Sequence, residues 1–350
     1  MPRDDLSRLG IRHRRIPILA IGNDVYLDTR LILHKLELIK SKSPSVRPPL
    51  GLSYGIGGKP ASAEELALER LLSVFSVDSG LFIEAARLIP AGTAAMKDPV
   101  FGKDRMDFFG GPLNPRTKTS SSSAASPQSP AAIAAAEGPA EPPASQALLR
   151  AEALAEVRHF ATILETTLLA DGRQWILNTE NPSLSDIDAI WPFHWLHSMP
   201  GAFLDGSGSE KPGLDALQFP KLFAWIDRFH NVIRTARKSQ NGQSSKITGA
   251  EAAKAVQTAE PWDAMTRVAS YIDISDPVAQ VASLTIGRRV VLWPTDTGKE
   301  HRDEGEIIRF EANEVAIKVK PSEDAPHVIL HAPRHGFRVR PVEGTDGPRL

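Results

Sequence analysis

The 350-residue chain contains no cysteine, which excludes disulfides, thiolate metal sites and a cysteine nucleophile. Aromatic residues make up only 6% of it and just three are tyrosines, so tyrosine hydroxyl chemistry has few candidates. Charge of one sign is lacking too. The 41 basic and 42 acidic residues leave a net charge of −1, with no global pull toward nucleic acid or an anionic membrane. No apolar run approaches the length of a membrane span, and no secretory hydrophobic region follows Met1. Arg3, Arg8, Arg12, Arg14 and Arg15 give the N-terminus a transit-peptide flavour that Asp4 and Asp5 contradict. A cytoplasmic protein without nucleic-acid or membrane partners is the expectation.

The length allows a sizeable core and two or three domains. The first forty residues are the most informative. Ile18 to Ile21 has strand length, Gly22-Asn23 is a two-residue hairpin turn, and Val25 to Leu27 returns as a second strand. Asp28-Thr29 then opens an apolar-periodic run through Glu37, with both residues able to cap a helix. Each feature alone has a plain structural reading, as an N-cap or as a strand-opening proline.

In this order and spacing, the segment resembles the second half of the thioredoxin-like domain of glutathione S-transferases, the first strand and helix of which would precede Met1. The resemblance implies a cis Ile16–Pro17 bond, with the Ile16 backbone pairing the cysteinyl part of glutathione. Asp28 and Thr29 would hold the γ-glutamyl end, at a helix N-terminus suited to a carboxylate. The pair here is Asp-Thr where the family more often has Glu-Ser. The glutathione-binding positions are therefore expected at Ile16, Pro17, Asp28 and Thr29. The family activates the bound thiol with a Tyr or Ser hydroxyl on that first helix, so no catalytic residue is nominated. Tyr26 lies inside a strand and reads as core. With the first strand absent, Ile18–Ile21 is expected to keep an unpaired edge, and a hairpin plus one helix is too little to be stable alone; an incomplete gene model is the explanation the sequence favours.

Residues 41–61 are rich in Ser, Pro and Gly and read as a linker. A helical pattern begins at Ser62, with Glu65 placed for a capping box. The Ser/Ala/Pro tract 115–146 has almost no bulky side chains and reads as a disordered insert. Helical patterning resumes at Ala147. Gln174-Trp175-Ile176-Leu177 followed by Asn181-Pro182-Ser183-Leu184-Ser185-Asp186 resembles the element that starts the central buried helix of the transferase C-terminal domain, with Ser183 and Asp186 capping it. Pro192 falls inside that helix, where a proline removes a hydrogen bond. Further helices are expected from Pro220 and from Thr248-Gly249-Ala250-Glu251. His194 and His197, flanking Trp195, are candidates to line an apolar pocket, although aromatics at this spacing more often build core.

From Thr285 onward the pattern is short strands: Val290–Trp293, Gly305–Phe310, Val315–Val319, Val328–Leu330 and Phe337–Val339. They suggest a small antiparallel, SH3-like barrel. His327, His331 and His335 recur every four residues but in strand context, so no metal site is expected. Arg334, Arg338 and Arg340 read as a solvated basic edge. The fold class expected is multidomain α+β: a partial thioredoxin-like unit at 1–40, an all-helical transferase-like domain at 62–258 and a β-barrel at 284–342. The resemblance, to proteins of fungal type, implies conjugation of glutathione, as co-substrate, to a small hydrophobic electrophile in detoxification. That activity would be weak or lost without the thiol-activating segment, and homodimer formation belongs to the same expectation. The rival is a non-catalytic scaffold that keeps the transferase shape for protein contacts.

Overall fold

A computed structural model describes residues 3–39, 61–90, 92–93, 97–100, 102–104, 145–204, 213–239, 244–263 and 270–342. The expected linker (41–61) and disordered insert (115–146) lie outside the described residues except at their last positions. No described helix is long and apolar enough to cross a membrane.

After a short helix α1 (Asp4–Ser7) come strands β1 (Ile18–Ile21) and β2 (Asp24–Leu27) and helix α2 (Thr29–Leu38), as the local signals predict. Gly22 has φ +62°, the left-handed geometry that a two-residue hairpin turn beginning with glycine requires. A side chain on Gly22 would collide with the Glu260 carbonyl, because the hairpin tip is docked. Gly22 forms a bridge with Pro261, and the Asn23 amide donates to the carbonyls of Val256 and His327 at 3.0 and 3.1 Å.

The hairpin does not stand alone, which corrects the expectation of a marginal fragment. Strands β4 (Arg289–Pro294), β5 (Asp303–Phe310), β6 (Glu314–Val319), β7 (Val328–Pro333) and β8 (Phe337–Pro341) extend it. The sheet has eight strands in the order β1-β2-β7-β6-β5-β4-β8, with the two-residue β3 (Tyr271–Ile272) paired to β5. β2 runs parallel to β7 in the register Asp24↔Ile329, Val25↔Leu330, Tyr26↔His331. All four residues of β2 are buried, as a strand flanked on both sides and covered on both faces must be. The sheet is open rather than a closed, separate barrel: β8 pairs with β4, and β1 has β2 as its one strand partner among the described residues. The five C-terminal strands themselves fall where the sequence places them.

The helical part comprises α3 (Ala63–Asp78), α4 (Leu81–Arg87), α5 (Gln146–Ile163, continued by a π-helical turn Leu164–Leu168), α6 (Leu184–His197), α7 (Pro220–Ser239) and α8 (Gly249–Thr258); the five-residue α9 (Pro277–Val281) precedes β4. Reciprocal capping boxes start α3 at Ser62/Glu65 and α8 at Thr248/Glu251. One core lies among the helices, around Leu81, Val157, Leu164, Phe193 and Trp225. A second lies in the sheet, around Leu27, Ile307, Phe310, Val315 and Leu330.

Pro192 sits in the middle of α6 without ending it. Having no N–H, it leaves the Asp188 carbonyl without its helical donor. The Ser76 hydroxyl of α3 donates to that carbonyl and accepts from the Trp191 indole N–H at 2.9 Å. A single serine thus repairs the proline defect and ties α3 to α6. Ser76→Ala should lose about 1–3 kcal/mol of stability, the cost of leaving buried polar groups without partners, measured by urea unfolding. A loss within error would mean that water replaces the hydroxyl.

Candidate functional site

The segments that follow β2, β4 and β7 and those that precede β1 and β8 meet at a rim facing α3 and α4. The parallel pair β2/β7 delivers Asp28 and Arg30 from one strand end, and Arg334 and His335 from the other. Ligands commonly settle outside the carboxyl ends of parallel strands. Between this rim and the helices lies a cleft of about 490 Å³. Arg15, Arg30, Arg334 and Arg338 line it from the sheet side, and Asp78 and Phe82 from the helices.

The charges are knit together. Arg15 makes a two-pronged contact with Asp296 at 2.9 and 3.0 Å and reaches Asp28 at 3.5 Å. Arg30 contacts Asp28 at 3.3 Å and Asp78 of α3 at 3.4 Å. His335 is 2.6 Å from the same Asp78. Arg334 pairs with Asp276 at 3.1 Å and stacks 3.8 Å over the Phe310 ring. The Nε atoms of Arg15 and Arg334 are buried with no hydrogen-bond partner among the described residues. Buried guanidinium donors without acceptors are what an oxyanion would satisfy. Behind Arg30, burial and Glu69 raise Asp188 to about 7, with the Arg30 guanidinium opposing them.

The Ile16–Pro17 bond is cis, with Ile16 69% exposed. Asp28 caps α2 by accepting the Arg30 N–H at 3.1 Å, with φ +70°, and Thr29 is exposed at the first helical position. Ile16, Pro17, Asp28 and Thr29 all lie outside the cleft lining; Asp28 reaches it only through Arg15 and Arg30, which do line it. The arginines that do line it are what sequence reasoning missed. Arg15 and Arg30 directly flank the two motifs, and Arg334 and Arg338, read as a solvated edge, face the cleft. Among the described lining residues Thr295 supplies the one hydroxyl, which bonds to the Gly336 carbonyl at 3.3 Å.

A buried polar network joins segments from both ends of the chain. His331 of β7, fully buried, contacts Asp24 of β2 at 2.8 Å through Nε2 and Glu314 of β6 at 2.6 Å through Nδ1. The Lys35 ammonium of α2 contacts Asp263 at 2.5 Å and Glu314 at 2.9 Å. Asp24 also accepts the backbone N–H groups of Trp262 and Asp263, and the Tyr26 ring stacks on His331 with centroids 4.6 Å apart. Burial opposes the charged form of His331, but Asp24 and Glu314 outweigh it and raise the pKa. Burial also favours a neutral Glu314, yet His331 and Lys35 hold it at about 2. Asp263, Glu314 and His331 place ligand-type atoms within 4.8 Å of one another. Lys35 already supplies a cation there, so the group reads as a buried ionic staple.

A family model described as a domain of unknown function (DUF7962) matches residues 134–238, a span that includes α5, α6 and most of α7. No curated protein matches the chain. Among solved structures, the chain is similar to a GST-like protein from Pseudomonas syringae at 19% sequence identity, covering 98% of this chain and 86% of that one with a TM-score of 0.59. The fold is GST-like. A likeness at this identity concerns the path of the chain, and the GST-like fold by itself assigns no chemistry.

Proposed function

We propose that this is a GST-like protein whose cleft binds glutathione as a co-substrate for weak thiol conjugation to small hydrophobic electrophiles. The observation that carries the reading is the cleft itself, with four arginines and two buried Nε donors that have no partner among the described residues. Glutathione has two carboxylates, and guanidinium–carboxylate pairing is the strong, directional contact such a site offers. Ile16, Pro17 and Thr29 remain proposed contact positions on the exposed side. Asp28 is assigned the ligand ammonium and, equally, the orientation of Arg15 and Arg30. Nearby guanidiniums also lower the pKa of a bound thiol, but no Tyr, Ser or Cys lines the described cleft. By analogy with a missing oxyanion donor, conjugation should run about a hundredfold below that of a transferase with a thiol-activating hydroxyl. The boundaries 1–40, 62–258 and 284–342 are kept as proposed domains, as are a cytoplasmic location and a homodimer.

The test is calorimetric titration of the full chain with glutathione. Binding at millimolar concentration or tighter is expected. Arg338→Ala should weaken it about tenfold, near 1.4 kcal/mol, without changing the melting temperature, since the one bond the Arg338 side chain makes among the described residues is a long contact with the Phe337 carbonyl at 3.4 Å. Asp28→Asn, which keeps the cap acceptor and tolerates positive φ, should weaken it comparably. Absence of heat from folded protein would sink the reading.

A scaffold role without catalysis is the second reading. It is favoured by the ion pairs that already occupy Asp28, Asp78 and Asp296. Specific partner capture that survives Asp28→Asn and Arg338→Ala would favour it.

A further inference from the structure

Away from the cleft, the end of α7 gathers positive charge along one face. His230, Ile233, Arg234, Arg237 and Lys238 follow the i, i+3, i+4, i+7, i+8 spacing that puts side chains on a single helix stripe. With His194 of α6 beside them, they surround a surface cavity of about 360 Å³ whose lining contains no carboxylate. Arg234 donates to the Asn231 side-chain oxygen at 3.0 Å, and none of the three cations has a carboxylate partner among the described residues. In the cleft, by contrast, Arg15, Arg30 and Arg334 are all ion-paired. Asp227, one turn before His230, is taken by His197 at 3.6 Å and stays outside the lining.

We propose that this cavity binds a soluble small molecule carrying a phosphate or diphosphate group, held by Arg234, Arg237 and Lys238 with the His194–His230 pair at its edge. Guanidiniums grip phosphate oxygens as a fork, and the lysine adds a mobile point charge. Ile233 offers an apolar wall to the rest of the molecule. The carboxyl ends of α6 and α7 oppose an anion with about half an elementary charge each, which three full cations outweigh. The site stands apart from the arginine cleft and does not depend on what that cleft binds.

The histidines link the site to pH. His194 Nε2 lies 3.3 Å from His230 Nδ1, a contact in which one ring donates its N–H to the bare nitrogen of the other. Burial, then His230, His197 and Arg237, lowers the His194 pKa, and the one carboxylate in the neighbourhood, Asp227, faces His197. A bound dianion supplies the missing opposite charge, so the pair gains a proton as the anion enters. Affinity should therefore rise as pH falls through the histidine range, and fall with added sodium chloride, because the cations are exposed and screened.

The experiment is histidine-ring NMR of the full chain titrated with inorganic pyrophosphate at low salt, the signals assigned with His194→Gln and His230→Gln. Both rings should shift at millimolar concentration or below. Arg237→Gln combined with Lys238→Gln, both at exposed positions, should weaken that response about tenfold with an unchanged circular dichroism spectrum. Sulfate keeps its charge across the histidine range, so its tighter binding near pH 5.5 than near pH 8 reads the protein's own proton uptake. That difference should vanish in the double glutamine variant of His194 and His230. His335 lines the arginine cleft and serves as the control. A shift confined to His335, no shift at all, or a response untouched by the Arg237/Lys238 variant would overturn the proposal. Shifts of His194 and His230 with anionic vesicles but not with pyrophosphate would overturn it in favour of a lipid surface.

Discussion

His331→Leu is expected to lose about 3–5 kcal/mol of stability, because it leaves the buried carboxylates of Asp24 and Glu314 without the imidazolium between them. All three groups lie in the sheet interior, His331 and Asp24 fully buried, and no solvent is at hand to replace the missing partner. Asp24→Asn in the same chain should return part of the loss, since it removes the orphaned charge while keeping an acceptor for the Trp262 and Asp263 N–H groups. The pH dependence has a defined sign. The His331 pKa is raised in the folded state, so its contribution is fully present below its unfolded value near 6.5 and is lost as pH rises through the higher folded value. Glu314 is depressed to about 2; its contribution is present above its unfolded value and lost as pH falls from about 4.5 toward 2. The stability difference between wild type and His331→Leu should therefore be largest between those limits and shrink on the alkaline side. Urea unfolding from pH 5 to 9 measures it. A flat difference below about 1 kcal/mol, the range of an exposed ion pair, would show that the staple is solvated.

Asp186→Ala should cost about 4 kcal/mol, concentrated in the helical part. The Asp186 carboxylate accepts four hydrogen bonds: Oδ1 from the Ile176 N–H at 2.9 Å and the Trp225 indole at 3.0 Å, Oδ2 from the Ser183 N–H at 2.9 Å and the Ser183 hydroxyl at 2.8 Å. These donors belong to the turn before α6, to the start of α6 and to the second turn of α7, so one carboxylate holds three segments together. Each buried donor left without an acceptor costs about 1–3 kcal/mol, less than additively within one network. Asp186→Asn, with one acceptor oxygen and an amide turned toward donors, should lose roughly half as much. Trp225 is fully buried against this group, so fluorescence during urea unfolding of a chain that keeps Trp225 as its one tryptophan gives a local readout. Equal behaviour of the Ala and Asn variants would mean that packing, rather than hydrogen bonding, is what the carboxylate provides.

The features legible in the sequence are those settled within a few residues. The Gly22-Asn23 turn, the caps at Ser62, Ser183 and Thr248, and the alternation Val315, Ile317, Val319 each depend on neighbours no more than four positions away, where residue type alone limits backbone and facing. The order Ile16-Pro17, hairpin and Asp28-capped helix also pointed to the GST-like fold. Only the tertiary structure decided that β2 lies against β7. Main-chain hydrogen bonding carries no mark of its partner, and the buried faces that select it come from segments some three hundred residues apart. The same pairing decided that His331 is a buried link rather than one of three spaced histidines, and that Arg334 is packed between Asp276 and the Phe310 ring rather than solvated. A charged side chain reads as exposed until the fold sets carboxylates and an aromatic ring around it, and here those groups arrive from both ends of the chain.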